Sequence, residues 1–192
     1  IGTGESNGRP INNRPTPPGT PRWGSQWKEA TAKTYGRVMG VGGSGSSYPI
    51  RGNYLDLDPN YADRHGRPLL RITFNYPDND IRMQTWVSKQ VEKIARSLNP
   101  KILTMGTVRK DWNSVPYQTT HNTGGAVMGT DPTTSAVNRY LQSWDVSNLF
   151  VVGASAFPQN AAQNPTGTVG ALAYWAAEAI RDRYMKSPGR LM

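Results

Sequence analysis

Two stretches of the chain hold residue types that can do chemistry together. The first, HNTGGAVMGTD at 121–131, sets a single imidazole in a glycine-rich loop. An imidazole with an unperturbed pKa of about 6.5 accepts a proton near neutrality, as a general base must. The second, NLFVVGASAFPQNAAQNPTGTVGALA at 148–173, sets Asn164 and Pro165 just ahead of a helix-forming run. An Asn amide both donates and accepts hydrogen bonds. Each has a plain structural reading when taken singly. His121 can be an ordinary loop histidine, and Asn164 a helix cap or turn residue. The two lie 43 residues apart, so only the fold can bring them together.

The elements that must position them are legible in outline. NLFVVGASAF carries a continuous apolar run, as a buried parallel strand does. TVGALAYWAAEAIRDRY at 168–184 is helix-forming and apolar almost all round, which predicts a helix buried on most sides. Pro165 sits where a missing N–H is harmless. The order strand, loop, helix puts 163–168 at a strand's carboxyl end and a helix N-terminus, where α/β proteins bind anionic ligands.

Upstream, Met83, Val87, Val91, Ile94 and Leu98 are spaced for an amphipathic helix over 79–98. Asp78, Asn79 or Asp80 can cap it, and Asn99-Pro100 stops it. Residues 53–76 read as a β-hairpin, with Leu70, Ile72 and Phe74 on the buried face of a half-buried strand. KILTMGTV at 101–108 is a plausible strand, and 26–37 a short helix. Residues 1–25 are too rich in Gly and Pro for a helix or core strand and read as an extended arm. GVGGSGSS lacks the Lys-Ser/Thr ending of a phosphate loop and reads as a flexible turn. His65, in DRHGRP, is read as a surface histidine, and the six Trp residues as packing residues.

Taken together, the two chemical stretches resemble the C-terminal signature of the glucose–methanol–choline (GMC) flavoprotein oxidoreductases. His121, Met128-Gly129, Val151-Val152-Gly153-Ala154-Ser155, Phe157-Pro158, Asn164-Pro165 and Thr168 stand in the family's places and order. Within the family, RPTPPGTPRWGSQWK and RGNYLDLDP look most like the large flavin subunits of membrane-bound, acceptor-linked sugar and sugar-acid dehydrogenases of the gluconate 2-dehydrogenase type. The fold this implies is α/β, an α+β fragment: part of the substrate-binding sheet plus the last strand and helix of the FAD-binding domain. The implied layout is an arm and short helix over 1–45, part of a substrate-binding domain over 46–116, and the end of the FAD-binding domain over 117–192.

The resemblance implies oxidation of a CH–OH group of a sugar, sugar acid or alcohol, with hydride passing to flavin N5 and electrons going on to a cytochrome or quinone. His121 takes the base's place and Asn164 the substrate-oxygen donor's. Gly153, Ala154, Asn164, Pro165, Thr166 and Thr168 fall around the FAD, with no metal. Gly153 stands where many members carry Asp. GVGGSG at 40–45 has the glycine spacing of the family's N-terminal G-x-G-x-x-G but no apolar strand before it, so the FAD pyrophosphate segment is read as absent, the chain as the C-terminal part of a longer enzyme, and the fragment as inactive alone. A cytochrome c subunit, a small subunit, membrane association through them and a place on the periplasmic face of the bacterial inner membrane are implied by resemblance only.

Composition bounds the alternatives. The 192 residues contain no Cys, which excludes disulfides, thiolate metal sites and covalent haem attachment on this chain. No apolar run reaches the ~20 residues that span a bilayer, and no signal peptide opens the sequence. The net charge of +9 leaves open a basic, non-enzymatic binding module for nucleic acid or an acidic partner. The basic residues are dispersed, without a run of five, which favours a solvated surface and no nucleic acid partner.

Overall fold

The computed structural model describes residues 2–5, 16–113 and 121–191. The chain divides into two compact units, Ile1–Ser44 with Ile81–Arg109, and Gly45–Asp80 with Lys110–Met192.

In the first unit, β1 (Gly2–Glu5) pairs antiparallel with β2 (Met39–Gly42), in the register Gly2↔Gly42 to Glu5↔Met39. This ribbon is no core strand, but it pairs part of the segment read as an extended arm with part of the GVGGSGSS segment read as a flexible turn, so Gly40–Gly42 are strand and not turn. Both segments are half glycine, which left little side-chain pattern to announce the pairing. Helix α1 (Ser25–Thr34) follows Gly24, whose φ of 89° offers no side-chain cap. Residues 6–15 of the expected arm lie outside the described residues.

Helix α2 (Asp78–Ser97) forms where the periodicity places it. Asp78 and Asp80 in its first turn complement the helix dipole. Asn99 takes a φ of 50° and donates its N–H to Arg96 O at 3.0 Å, ending the helix before Pro100. Val91 and Ala95 are buried, while Ile94 and Leu98 are exposed. The covered stripe therefore runs one position off the expected one at its end. Residues 101–108 form no strand.

In the second unit, β3 (Tyr54–Ala62) and β4 (Pro68–Thr73) form the expected hairpin. Leu55 faces Ile72 and Leu57 faces Leu70 across it, and Asp56 is ion-paired with Arg71 on the other face. The register shifts beyond Leu57, where Asp58 accepts the N–H groups of Asn60 and Tyr61 at 2.8 and 3.1 Å. Pro59, which has no N–H to give the ladder, sits within that irregularity. The alternation is as expected but the burial is not. Leu55, Leu57, Leu70 and Ile72 are all exposed, because no described element covers that face.

The core lies around α3 (Thr166–Ala179), which continues as one π-helical turn, Ile180–Tyr184. Val137, Leu141, Ala156 and Ala176 form one buried cluster, with Met128, Val151 and Leu172 packed on it. Tyr140, Ala179 and Leu191 form a second, flanked by Phe150 and Tyr184. One stripe of α3 is thus covered, while Tyr174 (77 % exposed) and Trp175 stand outside, against the expectation of a helix buried on most sides. Residues 149–153 carry a single antiparallel bridge, Gln142↔Phe150, and no parallel ladder. No neighbouring strand among the described residues offers one.

Asn138 and Gln142 tie this core together. Both are buried, and each uses its amide fully. Gln142 Nε2 donates to Ser147 O and Gly189 O at 2.6 and 2.7 Å, and Leu191 N–H donates to Gln142 Oε1 at 2.7 Å. Asn138 Nδ2 donates to Leu191 O at 3.0 Å. The segment 189–191 is thereby clamped to the 138–142 turn. Among the Trp residues, Trp144 and Trp175 anchor loops through Nε1 and Trp112 meets Phe74 edge-on, but Trp23 and Trp86 are exposed, against their reading as packing residues. No described helix is long and apolar enough to cross a membrane.

Candidate functional site

The loop that carries His121 runs beside the segment that leads to Asn164. Gly124, Ala126 and Met128 donate their N–H groups to Ala154 O, Ser155 O and Ala156 O at 3.4, 2.9 and 2.9 Å. Ala154–Ala156 is a 3₁₀ turn that follows Gly153. Gly153 has a φ of 139°, a backbone conformation that side-chain-bearing residues rarely adopt and glycine takes readily. The neighbouring turn at Gly124 has a φ of 82°, and a Cβ built on it lies 2.9 Å from Pro49 Cβ. That loop is pressed against Pro49, which only a glycine permits.

Asn160 completes the join. Its backbone exchanges two hydrogen bonds with Ser47, N–H to O at 2.9 and 3.0 Å. Its side-chain Nδ2 donates to the His121 carbonyl at 2.9 Å. Thus the main chain of His121 is fixed from the segment four residues before Asn164. Sequence reasoning missed Asn160, because an Asn in a loop has no period and its partner Ser47 is more than a hundred residues away.

The far end of the His121 loop is also pinned. Asp131 Oδ1 accepts Thr133 N–H and Oγ1–H at 2.8 Å, and Ser135 Oγ donates to Asp131 O at 2.7 Å while accepting Trp144 Nε1–H at 2.9 Å. The two Thr133 donors hold the Asp131 carboxyl below the usual carboxylate range. A Cβ on Gly129 would come within 2.8 Å of Ser135 Cβ. Ala136 and Val137 N–H both donate to Val127 O, which seats the loop on the buried core.

The expected site residues fall as follows. His121, Asn164, Thr166 and Thr168 are exposed; Gly153, Ala154 and Pro165 are half-buried. Pro165 is the N-cap of α3, and no side chain caps that helix. Its first amides, on Thr166, Gly167 and Thr168, therefore have no intrahelical acceptor. A Cβ on Gly167 would meet nothing within 4 Å, so space is open there. The backbone brings the two expected stretches side by side; the side chains of His121 and Asn164 share no hydrogen bond with each other. His65 stays in the hairpin turn, accepting from Arg64 Nε at 3.0 Å. Among the described residues no group of three or more His, Asp and Glu gathers as a metal site.

The loop that carries His121 is thus zipped to the 154–156 turn, and the segment that follows leads through Asn160 and Asn164 to an uncapped helix start. The family model for GMC oxidoreductases matches residues 49–173, and the chain belongs to that family, whose cofactor is FAD. It is 54 % identical over 186 residues to the gluconate 2-dehydrogenase flavoprotein of Pantoea cypripedii, covering 96 % of this chain and 30 % of that protein. It is 32 % identical to the 2-methyl-1,2-propanediol dehydrogenase of Mycolicibacterium austroafricanum over 84 % of this chain and 28 % of that one. It is also 32 % identical to the fructose dehydrogenase large subunit of Gluconobacter japonicus, over 69 % of this chain and 23 % of that one. The chain spans less than a third of the length of these relatives.

Proposed function

We propose that this chain carries the catalytic end of an FAD-dependent dehydrogenase. It oxidises a CH–OH group of a sugar or sugar acid and passes the electrons to an acceptor other than oxygen. The observation that carries the reading is the zipper between 124–128 and 154–156, closed by Asn160 on the His121 carbonyl. It sets the two loops of the expected base and amide donor side by side. Bound FAD supplies the hydride acceptor.

The residues present suit such a group. The open start of α3 would offer three amide donors to a bound flavin, an arrangement worth about 0.3–2 kcal/mol for negative charge. Thr166 and Thr168 add hydroxyls, and Pro165, with no N–H, leaves the donors to the residues that follow it. Gly153 and Ala154 form the turn in front of the helix. His121 accepts the hydroxyl proton as the C–H bond breaks, which prevents a protonated carbonyl from building up. Its carbonyl is held by Asn160, so the imidazole swings from a fixed root. Asn164 donates to the substrate oxygen and keeps it in line.

The likeness to a gluconate 2-dehydrogenase flavoprotein supports a sugar acid as substrate. The likeness to a fructose dehydrogenase large subunit supports assembly with further subunits. A cytochrome c subunit and a small subunit at the periplasmic face of the membrane are the partners we propose, with 1–45, 46–116 and 117–192 serving as arm, substrate part and FAD part. The test uses the full-length flavoprotein that contains this chain. Mixed without air with gluconate, fructose or a 1,2-diol, its flavin absorbance should bleach with the sugar acid first. Reoxidation should be fast with a dye or cytochrome c and slow with O₂. No bleaching with any of the three, or reoxidation by O₂ alone, rejects the reading.

A further inference from the structure

Away from the His121 loop, the C-terminal part of the second unit gathers hydrogen-bond donors around one phenol. Tyr140 is 2 % exposed and stacks on Trp175, with ring centroids 5.7 Å apart and 10° between planes. The guanidinium carbons of Arg139 and Arg183 lie 4.8 and 5.1 Å from the centre of the same ring. Arg139 Nη2 and Arg183 Nη1 each donate to Tyr140 Oη, both at 2.5 Å. Trp175 Nε1 donates to Arg139 O at 2.9 Å, which fixes the backbone beside the cluster.

A phenol oxygen has two lone pairs and one proton. Two guanidinium groups already use the lone pairs, so the O–H proton must be given elsewhere. Among the described residues no acceptor meets it. The ion pairs among those residues use Arg67, Arg71, Arg96 and Arg181, and none of the described carboxylates pairs with Arg139 or Arg183. Two solvent-exposed guanidinium groups therefore converge on a buried phenol with no counter-ion among the described residues. The hydrogen bond from Arg139 and the charge of both arginines lower the phenol's pKa from its ordinary value. The arrangement favours negative charge, and among the described residues no carboxylate supplies it.

We propose that Arg139, Tyr140 and Arg183 form a binding site for a small tetrahedral dianion of the phosphate class. Such an ion accepts the Tyr140 O–H and the unused guanidinium N–H groups together and neutralises both charges. Charge-assisted bonds of this kind are the strong ones, and arginine forks fit tetrahedral oxyanions. A carboxylate, with one charge and two oxygens, fits the donor set less well. The site is independent of the flavin chemistry proposed above.

The test is calorimetric titration of the full-length flavoprotein with inorganic phosphate at constant ionic strength. Saturable binding with a Kd on the order of 1 mM is expected. Sulfate should compete; acetate and chloride should not. Tyr140→Phe should weaken binding several-fold, and the paired change Arg139→Gln with Arg183→Gln should abolish it. Phosphate should raise the melting temperature of the wild type and leave that of the paired variant unmoved. If the paired variant fails to fold, Arg183→Gln alone reads the same loss. Absence of saturable binding to wild type at tens of millimolar phosphate, equal competition by acetate, or undiminished binding to the variants overturns the site.

Discussion

Asn164 and Gly124 test the site at the scale of single side chains. Removing a positioned donor to a developing oxyanion costs about 10²–10³ in kcat, so Asn164→Ala should fall in that range while FAD stays bound. Steady-state kinetics and the flavin spectrum check this together. Gly124→Ala combines a φ of 82° with a Cβ only 2.9 Å from Pro49. It should destabilise the protein by about 1–3 kcal/mol and lower kcat as the His121 loop moves. A melting curve and a kcat that both match wild type would show that the glycine is not needed. Asp131 gives a pH signature. Its folded carboxyl titrates below the ordinary value because Thr133 donates to it twice. The stabilisation is complete above the unfolded pKa of about 4 and is lost as pH falls through the lower folded value. Asp131→Ala should therefore lower the melting temperature near neutrality and converge with wild type in strong acid.

At the scale of elements, α2 and the β3–β4 hairpin were legible because their residues repeat at 3.6 or 2, and α3 because its run is helix-forming and apolar almost all round. The pairs Leu55–Ile72 and Leu57–Leu70 follow directly from the alternation. What periodicity could not show was cover. Ile94, Trp175 and Ile72 each carry the right pattern yet stand exposed. The β1–β2 ribbon of GTGE with MGVG was illegible, because glycine backbones pair without any side-chain rule. The Asn138–Gln142 hub was equally hidden, since an amide's buried partners are set by the fold, here the backbone at 189–191. Truncating Gln142 to Ala leaves Leu191 N–H and two carbonyls without partners. It should cost about 1–3 kcal/mol for each buried group left unpaired, and should speed amide hydrogen exchange at Leu191 before global unfolding. Unchanged melting and unchanged exchange would show that the clamp contributes nothing.

At the scale of the molecule, the motifs at 121–129 and 151–168 marked the family in the sequence, and the family match over 49–173 bears that out. The exposed apolar faces of β3–β4 and of α3 at Tyr174 and Trp175 suit burial in a longer protein. Expressed alone, the chain should bind a hydrophobic dye and self-associate, whereas the full-length flavoprotein should do neither. A monomeric, dye-silent chain would argue that these faces tolerate water.

The central claim is that His121 is the base of a flavin-linked alcohol oxidation. Its most direct measurement is the rate of anaerobic flavin reduction by substrate in full-length His121→Ala. The account predicts a fall of about 10²–10⁴ with FAD still bound and its oxidised spectrum intact. Reduction at a rate near wild type would contradict it.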